Sequence, residues 1–335
     1  MLKRLIMICC LFAMTAGYSM ATFAQEGDTD QPLKVVFLGD SITQAGVGPN
    51  GYVTLIDKAI HERHPDKNIE IIGAGISGNK VPDLQARLDN DVLAHKPNLV
   101  MIYIGINDVW HWNNNRGTTK EDFEIGLNDV IDRIEAVGSK VVLCTPSMIG
   151  EKTDGSNKLD EMLEEYSAIS RSVAKSQSVN LLDLRKKFVR ELKILNTDQA
   201  ENKILTSDGV HLNEAGNEFV KDCMLPMIES VLFGKKLQHV VMFKFKEDTK
   251  EADINRVFDA FAKLPEQIDT IVGYEAGVDN SPESLNQGYT HCFIVSFSSL
   301  ADRDAYLPHQ AHKDFVQLLA PFVDGALVVD FWSNQ

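Results

Sequence analysis

The chain has 335 residues, with 33 Lys and Arg against 48 Asp and Glu and a formal charge of −15. That acidity argues against nucleic acid and anionic membrane surfaces as partners and favours a neutral or small-molecule substrate. The length suits about two domains, and of five cysteines the three beyond residues 1–24, Cys144, Cys223 and Cys292, are widely spaced without a Cys-x-x-Cys pair and make no disulfide framework; Cys144 and Cys292 lie in apolar runs and read as buried free thiols.

Residues 1–24 carry a basic start (Lys3, Arg4), an apolar stretch over 5–14, and small residues ending at Ala24. This is the pattern of a secretory signal peptide cut after Ala24, which implies a secreted or periplasmic protein. The apolar stretch is too short to span a bilayer, and no other membrane segment is evident once the leader is removed. Bulky Met7 and Ile8 precede Cys9, which disfavours a lipoprotein.

From 33 to 232, short apolar runs at 34–38, 69–72, 99–104, 140–144 and 179–182 alternate with helical patterns at 52–64, 81–95, 120–137 and 159–176. Apolar runs without alternation are expected of strands covered on both faces. Asn213 is a candidate N-cap for a last helix reaching about 232. The rhythm predicts an α/β domain with a doubly wound parallel sheet. His61 and His64 could share a helix face and bind a metal, but a solvated helix end is the better reading. From 237 to 333 the pattern changes. Strands at 237–245, 268–278, 289–297 and 325–332, with helices at 250–264 and 300–319, predict an α+β ferredoxin-like unit.

The stretch "KVVFLGDSITQ" ends a buried strand on a serine. Ligands of open parallel sheets bind beyond the carboxyl ends of the strands, so Ser41 is placed to meet one, with Gly39 allowing a tight turn. A serine hydroxyl needs a base. "TSDGVH" supplies Asp208 and His211, three apart, a spacing that lets the carboxylate hold the imidazole as it takes the Ser41 proton. "GAGISGN" after the second strand and "YIGINDV" after the third offer the N–H of Gly78 and the amide of Asn107. With the Ser41 N–H, these can converge on one oxyanion. Trp110 and Trp112 follow directly and can stack on a sugar ring or an aromatic group, or simply pack their loop down.

"GDSIT", "GISGN", "GINDV" and "DGVH" resemble the four blocks of the SGNH (GDSL-type) hydrolases. The resemblance implies a flavodoxin-like three-layer α/β/α fold and serine esterase chemistry without metal or cofactor. Ser41 would be the nucleophile, Asp208 the acid and His211 the base, with Ser41, Gly78 and Asn107 forming the oxyanion hole; Asp40 would have a structural role. No long apolar lid suits a fatty acyl chain. The expected reaction is therefore hydrolysis of short acyl esters, acetyl above all, on carbohydrate through an acyl-serine intermediate. A lysophospholipase or thioesterase is the alternative within this chemistry.

In "HVVMFKFK", alternation places His239, Val241, Phe243 and Phe245 on one face. With "GYTH" and the Tyr306-x-x-His309-x-x-His312 spacing, this region resembles the stress-responsive A/B barrel (Dabb) family. The resemblance implies a barrel completed by pairing two sheets, and so a homodimer. Some relatives bind small molecules in the barrel, and in one plant polyketide cyclase a tyrosine and a histidine matching Tyr306 and His312 carry the chemistry. His239, His291 and His309 would extend such a pocket. A Dabb-centred binding or cyclase-like protein is thus a competing reading to the serine esterase.

Overall fold

The computed structural model describes residues 31–333; the leader expected at 1–24 lies outside the described residues. The first region runs β1 (Leu33–Gly39), α1 (Ser41–Gly46), α2 (Tyr52–Arg63), β2 (Ile69–Gly75), α3 (Val81–Asp91), β3 (Leu99–Tyr103), α4 (Ile106–Trp110), α5 (Lys120–Glu135), β4 (Lys140–Cys144), α6 (Asp160–Ser176), β5 (Asn180–Leu182), α7 (Leu184–Leu195) and α8 (Glu214–Phe233). Its strands are all parallel, in the order β2-β1-β3-β4-β5, the flavodoxin-like doubly wound arrangement.

The burial explains why these strands show no alternation. Val35, Val36, Phe37 and Leu38 of β1, like the whole of β3, are buried, because helices cover both faces of the sheet. On one side α2 packs on α8; on the other α3 packs on α5 and α5 on α6. Each fully buried Val, Leu, Ile or Phe contributes about 1.5–3 kcal/mol. Gly39 ends β1 where no side chain fits, since a Cβ there would lie 2.6 Å from the Tyr103 carbonyl oxygen.

The sequence pattern predicts no helix between 182 and the last helix, yet α7 stands there, capped by Asp183. It buries Leu184, Phe188 and Leu192, a narrow stripe four residues apart among basic side chains. His64 is not on a solvated helix end either. Its Nε2 lies 2.9 Å from the buried Glu229 of α8, and its ring packs on Phe233. Glu229 also accepts from Arg63, so this corner ties α2 to α8.

The second region runs β6 (Lys236–Phe245), α9 (Glu251–Ala262), α10 (Leu264–Gln267), β7 (Ile271–Val278), β8 (His291–Phe297), α11 (Leu300–Tyr306), α12 (Gln310–Leu319) and β9 (Val323–Ser333). The four strands are antiparallel in the order β7-β8-β6-β9. The helix expected at 250–264 is followed by a further short one, and the helical stretch at 300–319 divides in two, with a proline at each junction. Pro265 opens α10 just after α9, and Pro308 separates α11 from α12 because it cannot donate within a helix.

Leu237, His239, Val241 and Phe243 alternate into a second, separate hydrophobic core with Phe261, Phe293, Phe297 and Tyr306. Among the described residues no helix or further sheet covers the opposite face of this sheet. Val240 sits opposite Ile294 and Val329, and Met242 opposite Cys292 and Leu327. Leu327, Val329 and Phe331 remain 41–50% exposed. Among the described residues this region forms one four-stranded sheet, and no barrel closes within it. Lys187 of α7 donates to Asp302 of α11 over 2.5 Å, and Lys186 pairs with Asp269, linking the two regions. Cys144 is buried as expected, whereas Cys223 and Cys292 are partly exposed; all three are free thiols.

Candidate active site

Ser41 is the first residue of α1, directly after the buried N-cap Asp40, whose Oδ1 accepts the Ile42 N–H at 2.9 Å. As a first-turn residue, Ser41 has an N–H with no intrahelical acceptor. The sheet register brings the other predicted donors to the same edge. Gly39 stands between Gly75 and Tyr103, and the chain runs on from those residues to Gly78 and Asn107.

The late "DGVH" turn reaches Ser41 across 170 residues. His211 Nε2 lies 3.0 Å from Ser41 Oγ, and His211 Nδ1 lies 2.7 Å from Asp208 Oδ2. A carboxylate can only accept, so Nδ1 carries the proton and Nε2 is left to accept from the serine hydroxyl. Asp208 Oδ1 also accepts the backbone N–H of His211 at 2.8 Å and of Val210 at 3.0 Å. Partial burial raises the Asp208 carboxyl. The His211 ring and these backbone N–H groups outweigh that effect and hold it below the usual carboxylate range. It therefore stays ionised opposite an imidazole that becomes positive. The side chains of His211 and Asp208 are 35% and 49% exposed, so this arm of the site lies at the rim.

On the other side, Gly78 adopts φ +78°, and a Cβ there would meet nothing within 4 Å. Its loop leaves open space where a substrate could approach. The Asn107 amide donates to the Asn79 carbonyl at 3.1 Å and lies 3.4 Å from Asp40 Oδ2. Asn107 is thus wedged between the neighbour of Gly78 and the neighbour of Ser41. Burial pushes the Asp40 carboxyl up to about 7 and that of Asp108 up to about 6.

The two tryptophans part company. Trp110 stands beside the triad, its ring 6.2 Å from that of His211. Trp112 is engaged in its own loop. Its indole N–H donates to the Thr118 carbonyl and to the Tyr166 hydroxyl, each at 3.2 Å, and it fills the space a side chain at Gly117 would need. Its stacking role on substrate gives way to packing.

Arg87 belongs to the site's support, and no local sequence signal marks it. Its guanidinium donates to the carbonyls of Gly39 and Ala74 at 2.8 and 2.9 Å and to the Asn79 side chain at 2.7 Å. It ties the ends of β1 and β2 to the Gly78 loop. In "DLQARL" it looks like one more charge on a solvated helix face.

Of the five second-region candidates, three come together. The rings of Tyr306 and His312 lie 4.3 Å apart, and those of His239 and Tyr306 5.7 Å apart. His239 Nδ1 is 2.6 Å from Asp330. Burial raises the Tyr306 hydroxyl and lowers His312. His309 does not join them: it is the N-cap of α12, accepting from Ala311, and lines a groove of ≈ 630 Å³ at the junction with α7. His291 lies further along β8, edge-on to Phe245.

A serine ester hydrolase on a doubly wound sheet is the class that this fold defines. The model of the GDSL-like lipase/acylhydrolase family matches residues 37–219, and that of the stress responsive A/B barrel domain matches residues 237–333. The chain belongs to the GDSL-like lipase/acylhydrolase family and carries a Dabb domain after it. It is similar to the crystal structure of an acetyl xylan esterase, AlAXEase. The two are 43% identical with a TM-score of 0.57, over 58% of this chain and 99% of that one. An acetylxylan esterase of Geobacillus stearothermophilus is 29% identical, over 55% of this chain and 88% of its own. A stress-response A/B barrel domain-containing protein of Arabidopsis thaliana is 34% identical, over 28% of this chain and 83% of its own.

Proposed function

We propose that this protein is an exported esterase that removes short acyl groups, acetyl above all, from carbohydrate, with Ser41 as nucleophile. The observation that carries the reading is the Ser41–His211–Asp208 chain of contacts at 3.0 and 2.7 Å. Nε2 of His211 takes the hydroxyl proton as Ser41 Oγ attacks the ester carbonyl. The oxyanion is met by the N–H groups of Ser41 and Gly78 and the amide of Asn107. His211 then returns its proton to the departing alcohol oxygen, leaving an acyl-serine. Water, deprotonated by the same nitrogen, releases the acid and restores the serine.

Two acetylxylan esterases among the relatives support an acetylated saccharide as substrate, and Trp110 beside His211 offers a face for a sugar ring. Export rests on the leader pattern of residues 1–24. The Dabb domain serves as a dimerisation module through its uncovered apolar sheet face.

Hydrolysis of nitrophenyl acetate and of acetylated xylooligosaccharides, set against long-chain esters, thioesters and lysophospholipids, tests the reading. Ser41→Ala should lose all turnover while remaining folded. Preference for a long-chain lipid ester would overturn the carbohydrate assignment. A second reading places a small-molecule site at Tyr306 and His312, favoured by their 4.3 Å ring contact. It fails if Tyr306→Phe combined with His312→Ala leaves every ligand affinity and activity unchanged.

A further inference from the structure

Glu151 is completely buried, yet it forms no ion pair among the described residues. All the partners of its carboxylate are neutral donors from one short segment. Oε1 accepts from the Leu205 N–H at 2.7 Å, the Thr206 N–H at 2.6 Å and the Thr206 hydroxyl at 2.8 Å, and Oε2 accepts from the Ile204 N–H at 2.8 Å. A buried carboxylate without a cation is costly to desolvate. Four hydrogen bonds to an ionised acceptor are each stronger than neutral ones and offset that cost.

The segment so held leads straight into the base arm of the triad. Thr206, clamped by Glu151, accepts the Gly209 N–H on its hydroxyl at 3.0 Å. Next to Glu151, the Gly150 N–H donates to the Gly209 carbonyl at 2.8 Å, and the Ser207 N–H donates to the His211 carbonyl at 2.8 Å. Between α7 and α8 the only regular pairing among the described residues is the isolated bridge of Thr206 with Leu212. Asp208 and His211 themselves lie in no helix or strand; Val210 between them is buried, Asn213 at the start of α8 donates to the carbonyls of Ile204 and Thr206, and the two side chains stand at the rim. The 150–151 segment beneath them is bonded to this turn at Gly209 and, through the buried Glu151 carboxylate, at 204–206.

We propose that Glu151 is a positioning residue for the base arm of the triad: its carboxylate gathers the 204–206 backbone so that His211 Nε2 meets Ser41 Oγ. The inference rests on the serine esterase reading. A displacement of about 1 Å of a reacting group costs on the order of 100-fold in rate, so a strain-free fold with a loosened turn would still be a poor enzyme.

The test uses the full-length chain with nitrophenyl acetate, scored per folded molecule by thermal melting and near-UV circular dichroism. Glu151→Gln keeps the shape and three acceptor contacts but turns its NH2 toward the Ile204 N–H, donor against donor. Glu151→Ala removes all four bonds. The expected result is a kcat lower by about 10-fold for Gln and about 100-fold for Ala, with KM within about twofold. Phosphonylation of Ser41 should slow in the same proportion. Folded variants with wild-type kcat overturn the proposal, as does a loss of rate that only tracks the folded fraction. If neither variant folds, Thr206→Val against Thr206→Ser decides: Val should lose about 10-fold and Ser should be spared, and equal rates overturn the proposal. Turnover surviving in Ser41→Ala would sink the esterase reading instead, whereas an inert Ser41→Ala beside fully active Glu151 variants sinks this inference alone.

Discussion

One carboxylate holds both ends of His211: Asp208 accepts the ring Nδ1–H through Oδ2 at 2.7 Å and the backbone N–H through Oδ1 at 2.8 Å. Asp208→Asn keeps the shape but turns an N–H toward Nδ1, or forces the ring into the tautomer that protonates Nε2. The expected loss is about 10⁴-fold in kcat, with the fold retained. Steady-state kinetics beside a melting curve check it; a loss below tenfold would leave Asp208 a turn former only.

The oxyanion side predicts a different signature. Asn107→Ala should lower kcat by about 10²–10³-fold with little change in KM, measured on the same ester. Gly78→Ala should cost about 1–2 kcal/mol of stability, because a Cβ is forced into the left-handed region although open space surrounds it. A Tm unchanged in Gly78→Ala would contradict the φ of +78°.

Asp40 predicts a pH dependence of stability. Burial raises its carboxyl from the ordinary 3.8 to about 7, so the folded protein keeps a proton that the unfolded chain releases near pH 4. This contribution to stability is full below pH 4 and is lost as pH rises through 7. Relative to the wild type, Asp40→Asn should gain about 1.4 kcal/mol per pH unit across that window and level off above it. Urea denaturation of both proteins between pH 4 and 8 measures the difference, and parallel curves would refute it.

The tryptophans should separate by readout. Trp112→Phe removes a donor shared by Thr118 and Tyr166 and should lower stability by about 1–2 kcal/mol while leaving KM for nitrophenyl acetate unchanged. Trp110→Ala should raise KM for acetylated xylooligosaccharides more than for nitrophenyl acetate. Equal effects on both substrates would remove Trp110 from sugar binding.

The uncovered face of the second sheet predicts association. Sedimentation at micromolar concentration should give a dimer, and Met242→Lys, which puts a charge at the centre of that face, should give a monomer. A monomeric wild type would end the dimerisation reading.

Much of this was legible in short stretches. The five parallel strands announce themselves as apolar runs; Ser41, Gly78 and Asn107 follow the ends of β1, β2 and β3, and Asp208 and His211 stand in the turn before α8. Asn213 caps α8, its side chain accepting from Gly216, as its position suggested. What the linear pattern hid was mostly long-range. Glu151 sits in an unremarked "GEKTDG" loop, and its donors lie 53–55 positions downstream. Arg87 reaches back 48 positions to Gly39. Nothing local marks a charged residue that will be buried by remote backbone. The missed α7 is a different failure, because its stripe of Leu184, Phe188 and Leu192 is regular but masked by lysines and arginines.

The exposure of the His211–Asp208 arm shapes how the enzyme can be used. In the proposed mechanism an imidazole at a rim would take its attacking water from bulk solvent, with no channel to deliver it. On that reading, an ester borne on a long chain would be presented from outside, without threading the polymer through the protein.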